Sequence, residues 1–104
     1  MFLVVFRNTK RADMDAQAYA EDAARMEREA SGQPGFLSFK SFTADDGEVV
    51  AISEWESREA AAAWRRQASH AKAQARGRDA YYDRYTVVTC DNPDIRRWQA
   101  GEPT

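Results

Sequence analysis

The apolar residues of this chain change period four times, and the order of those changes limits the folds open to it. Phe2-Leu3-Val4-Val5-Phe6 is β-branched and aromatic and reads as a buried first strand ending near Asn8. From Asp13 to Ala30 the period becomes helical, with Ala16, Tyr19, Ala20, Ala23, Met26 and Ala30 on one stripe. Glu21, Asp22, Arg25 and Arg28 fall on the other faces of that helix, Asp13 is its expected N-cap, and Gly32 with Pro34 stops it. Phe36 to Phe42 then returns to strand character, Asp45-Asp46-Gly47 signals a hairpin turn, and Val49 to Trp55 is a third strand. Ser57 caps a second helical stretch that runs from Arg58 to Arg76, interrupted near Ser69 and closed by Gly77. Tyr81 to Cys90 is a fourth strand, ended by Pro93, and the tail is expected to hold a turn of helix around Trp98.

The order β-α-β-β-α-β is the split βαβ pattern, so the expected fold is α+β and ferredoxin-like, a four-stranded antiparallel sheet with two helices on one face. At 104 residues this is one domain, with a core over roughly 1–92 and a short C-terminal tail. Two helices cover one face of such a sheet. Yet the first strand is apolar on both faces, with Phe2, Val4 and Phe6 opposite Leu3 and Val5, and the third strand repeats this with Val50 and Ile52 against Val49, Ala51 and Trp55. A large apolar face is seldom left in water. A second copy of the chain, sheet against sheet, is therefore the expected partner.

Composition excludes several function classes. The formal net charge of −2 argues against a nucleic-acid partner, and one histidine with one cysteine is too few for a zinc site. The apolar opening Phe2–Phe6 is too short for a membrane span or a signal-peptide core, so a cytoplasmic protein without a membrane role is expected. Cys90 has no disulfide partner in the chain and reads as a small buried hydrophobe.

Phe2 to Arg7, Pro34-Gly35-Phe36-Leu37, Trp55-Glu56-Ser57 and the run His70 to Arg78 resemble the antibiotic biosynthesis monooxygenase family of dimeric α+β barrels. The resemblance implies an oxygenase or binding protein for an aromatic or polycyclic metabolite held in an apolar pocket. The quinone-forming members use neither metal nor flavin, which implies no cofactor. Those members place Asn four residues before the Trp of Trp-Glu-Ser and Tyr six residues after it, where this chain has Ala51 and Ala61. The haem-degrading members use a strand-end Asn, a Trp and a His, to which Asn8, Trp64 and His70 correspond in kind, so haem is the alternative cofactor. On an unbroken helix the six residues from Trp64 to His70 turn through about 240°, which sends the two side chains to different faces. A break near Ser69 would bring them together.

The candidate catalytic residues are His70, Trp55 and Asn8. His70 is the one imidazole, with an unperturbed pKa near 6.5 suited to a general base. Burial beside Tyr82, Trp55 and Asn8 would keep it neutral. Trp64, Tyr82, Phe6, Phe39 and Arg78 are the candidate substrate-binding residues, and alternation sends Tyr82 to the face opposite Tyr81 and Tyr85. Beside these functional readings stand bland ones: indoles as packing, Asn8 as a turn residue, the arginines as a solvated flank. A non-catalytic dimeric module that binds a hydrophobic metabolite fits the same residues.

Overall fold

The structure is a computed structural model that describes residues 1–101, apart from the side chains at 68 and 69. Its elements follow the chain as β1 (Phe2–Lys10), α1 (Ala16–Ser31), β2 (Phe36–Thr43), β3 (Val49–Trp55), α2 (Arg58–Arg65), α3 (Ala68–Arg76), a π-helical turn (Gly77–Tyr81) and β4 (Tyr82–Asp91). The four strands form one antiparallel sheet in the order β2-β3-β1-β4. This is the expected ferredoxin-like α+β arrangement.

The register assigns the faces. Phe2 lies opposite Trp55 and Asp91, Phe6 opposite Ala51 and Val87, and Asn8 opposite Val49 and Tyr85. Directly paired residues share a face, so Phe2, Val4, Phe6, Asn8, Ala51 and Trp55 look the same way. The helices cover that face. Phe2, Ala30, Trp55, Ala61 and Trp64 form the buried cluster, with Val4, Met26, Phe36 and Ala60 packed on it. The opposite face carries Leu3, Val5, Val50 and Ile52, all half-buried, together with Phe42 and Val88, which are 51% and 50% exposed.

Turn chemistry holds these layers in place. Gly35 sits at φ +82°, and a Cβ there would come within 2.6 Å of the Ala60 Cβ, so the start of β2 can lie directly against α2 only with glycine. Its carbonyl accepts from the Glu56 N–H at 2.8 Å, tying β2 to the β3–α2 junction. The hairpin closes as expected at Gly47, φ +91°, with the Asp46 carboxylate accepting from the Glu48 N–H.

Several local expectations are corrected. Asp15, not Asp13, caps α1, accepting from the Ala18 N–H at 3.0 Å. The second helical stretch breaks at Arg66–Gln67 rather than at Ser69, because α2 ends on Arg66 and a second helix restarts from Gln67. The Ser69 side chain lies outside the described residues. Tyr81 is the last residue of the π-helical turn, not the first of a strand. Cys90 is exposed, since its partner Leu3 places it on the helix-free face. No helix forms around Trp98, which is 67% exposed.

Candidate functional site

Asn8 is the one polar residue of β1 to be deeply buried, at 2% exposure, and a buried amide needs a partner. Lys10 supplies it. Two residues further along the same strand face, its Nζ donates to Asn8 Oδ1. The ammonium group also lies 4.6 Å from the centre of the Tyr19 ring and 5.4 Å from that of Tyr82, distances at which the ring quadrupoles attract a cation.

A bulge between Thr9 and Lys10 assembles the rings. Arg84 pairs with Thr9 and Tyr82 with Lys10, leaving Asp83 as an extra residue in β4. Tyr82 and Tyr85 therefore share a face, against simple alternation, with their centroids 5.8 Å apart. Phe6 lies 5.4 Å from each of them, and Tyr19 closes the cluster 6.3 Å from Tyr82. Burial is the main cause that raises the Tyr82 pKa, and the neighbouring tyrosines add to it, so this hydroxyl stays neutral.

Two further contacts lock the cluster to the rest of the fold. At Gly77 a Cβ would meet the Tyr82 ring at 2.6 Å, so the π-helical turn can pass against that ring only with glycine. Arg11 then donates to three carbonyls at the end of the turn, those of Arg78, Asp79 and Tyr82, at 2.6 to 3.0 Å. Single π-turns are frequent at functional sites.

Asp22 anchors the other side of the turn. It is 8% exposed and accepts from Tyr81 Oη at 2.5 Å, from Arg76 at 2.6 and 2.7 Å, and from Arg25 at 2.7 Å. The Tyr81 hydrogen bond is the largest cause that lowers its pKa; burial opposes this, and the two arginines reinforce it. The expectation that Asp22 faces solvent is thereby corrected. Its spacing of four to Met26 and eight to Ala30 already puts it on the buried stripe of α1.

His70 and Trp64 meet, their ring centres 5.1 Å apart, because the break at Arg66–Gln67 removes the 240° separation of an unbroken helix. Nδ1 of His70 is buried without a hydrogen-bond partner. Burial is the chief cause that lowers the His70 pKa; the Arg65 charge adds to it and a hydrogen bond to the Arg65 backbone opposes it. The ring is neutral at pH 7. Its aromatic neighbour is Trp64, whereas Asn8 is engaged by Lys10 and Trp55 lies in the core. Trp55 is 2% exposed, its ring 5.5 Å from that of Phe36 and its indole N–H donating to Ser53 Oγ at 3.1 Å. Phe39 lies apart, in a groove of about 530 Å3 between α1 and β2 that Phe36 and Arg28 also line. Arg78, Tyr82 and Tyr85 line a smaller cavity of about 300 Å3 with Arg11, Asp83 and Arg84.

The structure thus brings together Asn8, Phe6 and Tyr82, with Arg78 at the edge, and pairs Trp64 with His70. Lys10, Arg11 and Tyr19 complete the arrangement and were not singled out from the sequence. Lys10 was within reach, since it shares the strand face of Asn8; the reach of Tyr19 across from α1 was not.

Among the described residues no three His, Cys, Asp or Glu side chains gather as a metal site, and no helix is long and apolar enough to cross a membrane. Haem finds no support at His70: its Nδ1 is buried, and His70 lines neither of the two cavities described above.

A split-βαβ antiparallel sheet with its helices on one face places the chain among small ferredoxin-like α+β proteins. Within that class the chain belongs to the antibiotic biosynthesis monooxygenase family, whose sequence profile matches residues 1–76. It is 36% identical over 86 residues to the protein YqjZ of Bacillus subtilis (strain 168), covering 83% of this chain and 74% of that one. Among solved structures it is similar to Rv0793 from Mycobacterium tuberculosis, with a TM-score of 0.79, 20% identity, and 92% and 98% of the two chains covered. It is also similar to SnoaB, a cofactor-independent oxygenase from Streptomyces nogalater, with a TM-score of 0.72, 17% identity, and 97% of both chains covered. The fold is monooxygenase-like.

Proposed function

We propose that this protein is a cofactor-independent oxygenase that takes an aromatic or polycyclic metabolite at the Asn8 cluster. The observation that carries the reading is a buried amide and an ammonium group held among the rings of Phe6, Tyr19, Tyr82 and Tyr85. Flat rings favour a flat ligand. A fixed positive charge in a water-poor setting favours a phenolate or enolate over its neutral acid. Such an anion is electron-rich enough to reduce oxygen without a metal or flavin. Overall, a ring methylene group and one molecule of dioxygen become a ring carbonyl group and one molecule of water. One oxygen atom enters the carbonyl, and the other leaves as water with both methylene hydrogens; the ring carbon is oxidised and dioxygen is reduced. In this reading Lys10 stabilises the anion and Asn8 holds Lys10 in place. A second copy of the chain covers the face carrying Leu3, Val5, Ile52 and Val88, which completes the dimeric barrel.

The test is oxygen uptake with 1-naphthol in the presence of a metal chelator, comparing the wild type with Lys10→Met. Saturable uptake that the substitution abolishes supports the reading. Saturable naphthol binding without uptake would instead favour a binding module. That second reading draws on Ala51 and Ala61, which put methyl groups where the quinone-forming pattern has polar side chains. Absence of both binding and uptake would sink the proposal.

A further inference from the structure

At the outer end of β4 the aromatic cluster adjoins an open cavity of about 300 Å3, lined by Arg11, Arg78, Tyr82, Asp83, Arg84 and Tyr85. Tyr82 and Tyr85 serve both spaces, so the cavity and the ring cluster share a wall. Three arginines against one aspartate is a local excess of positive charge in a chain whose formal net charge is −2.

Among the described residues that charge has no carboxylate partner. Arg11 is half-buried, and all three of its hydrogen bonds go to carbonyl oxygens, which satisfy its N–H groups and leave its charge uncompensated. Among the described residues no carboxylate lies within 4.0 Å of the guanidinium groups of Arg11, Arg78 or Arg84. Asp83 lines the cavity without pairing with them. Lys10, behind the Tyr82 ring, likewise has a neutral partner in Asn8. Other arginines are paired, Arg7 with Glu48, Arg25 and Arg76 with Asp22, Arg58 with Asp91 and Arg96 with Asp94, while Arg28, Arg65, Arg66 and Arg97 have no carboxylate within 4.0 Å among the described residues. Among the described residues the Arg78 guanidinium has no carboxylate partner beside this aromatic wall, whereas Arg84, opposite Thr9, projects from the other face of the sheet. A guanidinium fork matches a carboxylate with two parallel hydrogen bonds.

We propose that the ligand of this site is an aromatic compound bearing a carboxylate, its ring against Tyr82 and Tyr85 and its carboxylate on Arg78. The inference rests on the reading that the Asn8 cluster takes an aromatic ligand, and it adds the charge of that ligand. Arg11, fixed to the π-helical turn, contributes its field without changing partners.

Calorimetric titration with 1-naphthol and with 1-hydroxy-2-naphthoate, which share a ring system and differ by one carboxylate, tests it. The wild type is expected to bind the carboxylate about tenfold or more tightly, as hydrogen bonds between charged groups imply, and the advantage should shrink as salt is raised. Arg78→Gln is expected to bring the ratio of the two affinities close to one. Equal affinities in the wild type overturn the inference while leaving the aromatic site standing, and so does a carboxylate preference that survives the substitution. Binding of neither compound overturns both this inference and the reading beneath it.

Discussion

Tyr81→Phe removes one hydroxyl and nothing else from the Asp22 node. The ring keeps its edge contact with Tyr19, 5.3 Å between centres, and Asp22 keeps Arg25 and Arg76. What is lost is an O–H···carboxylate bond of 2.5 Å between two buried residues. Bonds to charged groups are worth about 1.5–3 kcal/mol, and because the remaining arginines leave no orphaned carboxylate the lower half of that range, about 1.5–2 kcal/mol, is expected. For a domain of this size that lowers the melting temperature by roughly 6–15 °C. The pH dependence follows from the two shifts. Asp22 has a depressed pKa, so its contribution is complete above the unfolded value of about 3.9 and disappears as pH falls through the folded value. Tyr81 has a raised pKa, so its contribution is complete below about 10 and disappears as pH rises through the folded value. The gap between wild type and variant should therefore be flat from about pH 5 to 9 and close at both ends. Urea unfolding followed by circular dichroism, at one protein concentration across pH 3 to 11, reads this directly. A gap below about 0.5 kcal/mol at pH 7 would refute the proposed anchoring.

Gly77→Ala places a methyl group where the Tyr82 ring lies 2.6 Å away, so the ring must move; a loss of about 1–3 kcal/mol and weaker naphthol binding are expected by thermal melting and calorimetry. His70 should titrate below its ordinary value of about 6.5 in an NMR pH series, and the stability tied to its neutral ring should decline as pH falls from there through the folded value. A ring titrating at or above 6.5 would show that it faces water. Ile52→Asp puts a charge on the helix-free face and should dissociate a dimer without unfolding the monomer, as read by sedimentation. Phe6→Asp, on the helix face, should instead unfold the chain. Equal behaviour of these two variants would contradict the assigned strand faces.

The order of the elements, the strand faces and the turn positions are legible along the chain. These depend on period and on backbone chemistry, both of which are local. Alternation along Phe2–Phe6 and Val49–Trp55 predicts which residues share a face, and Gly35 and Gly47 mark the turns through conformations that other residues resist. The site is a product of packing. A single extra residue at Asp83 turns Tyr82 and Tyr85 to one side, and a bulge leaves little trace in an alternating strand. A two-residue break at Arg66–Gln67, close to the interruption expected near Ser69, brings His70 onto Trp64, and Gln67 makes no side-chain cap hydrogen bond that would mark its position. Lys10 reaches Tyr19, and Arg76 and Tyr81 reach Asp22, across segments far apart in the chain. Contacts of that kind position side chains from separate elements by filling space. Local sequence pattern carries no record of which distant residue will fill it.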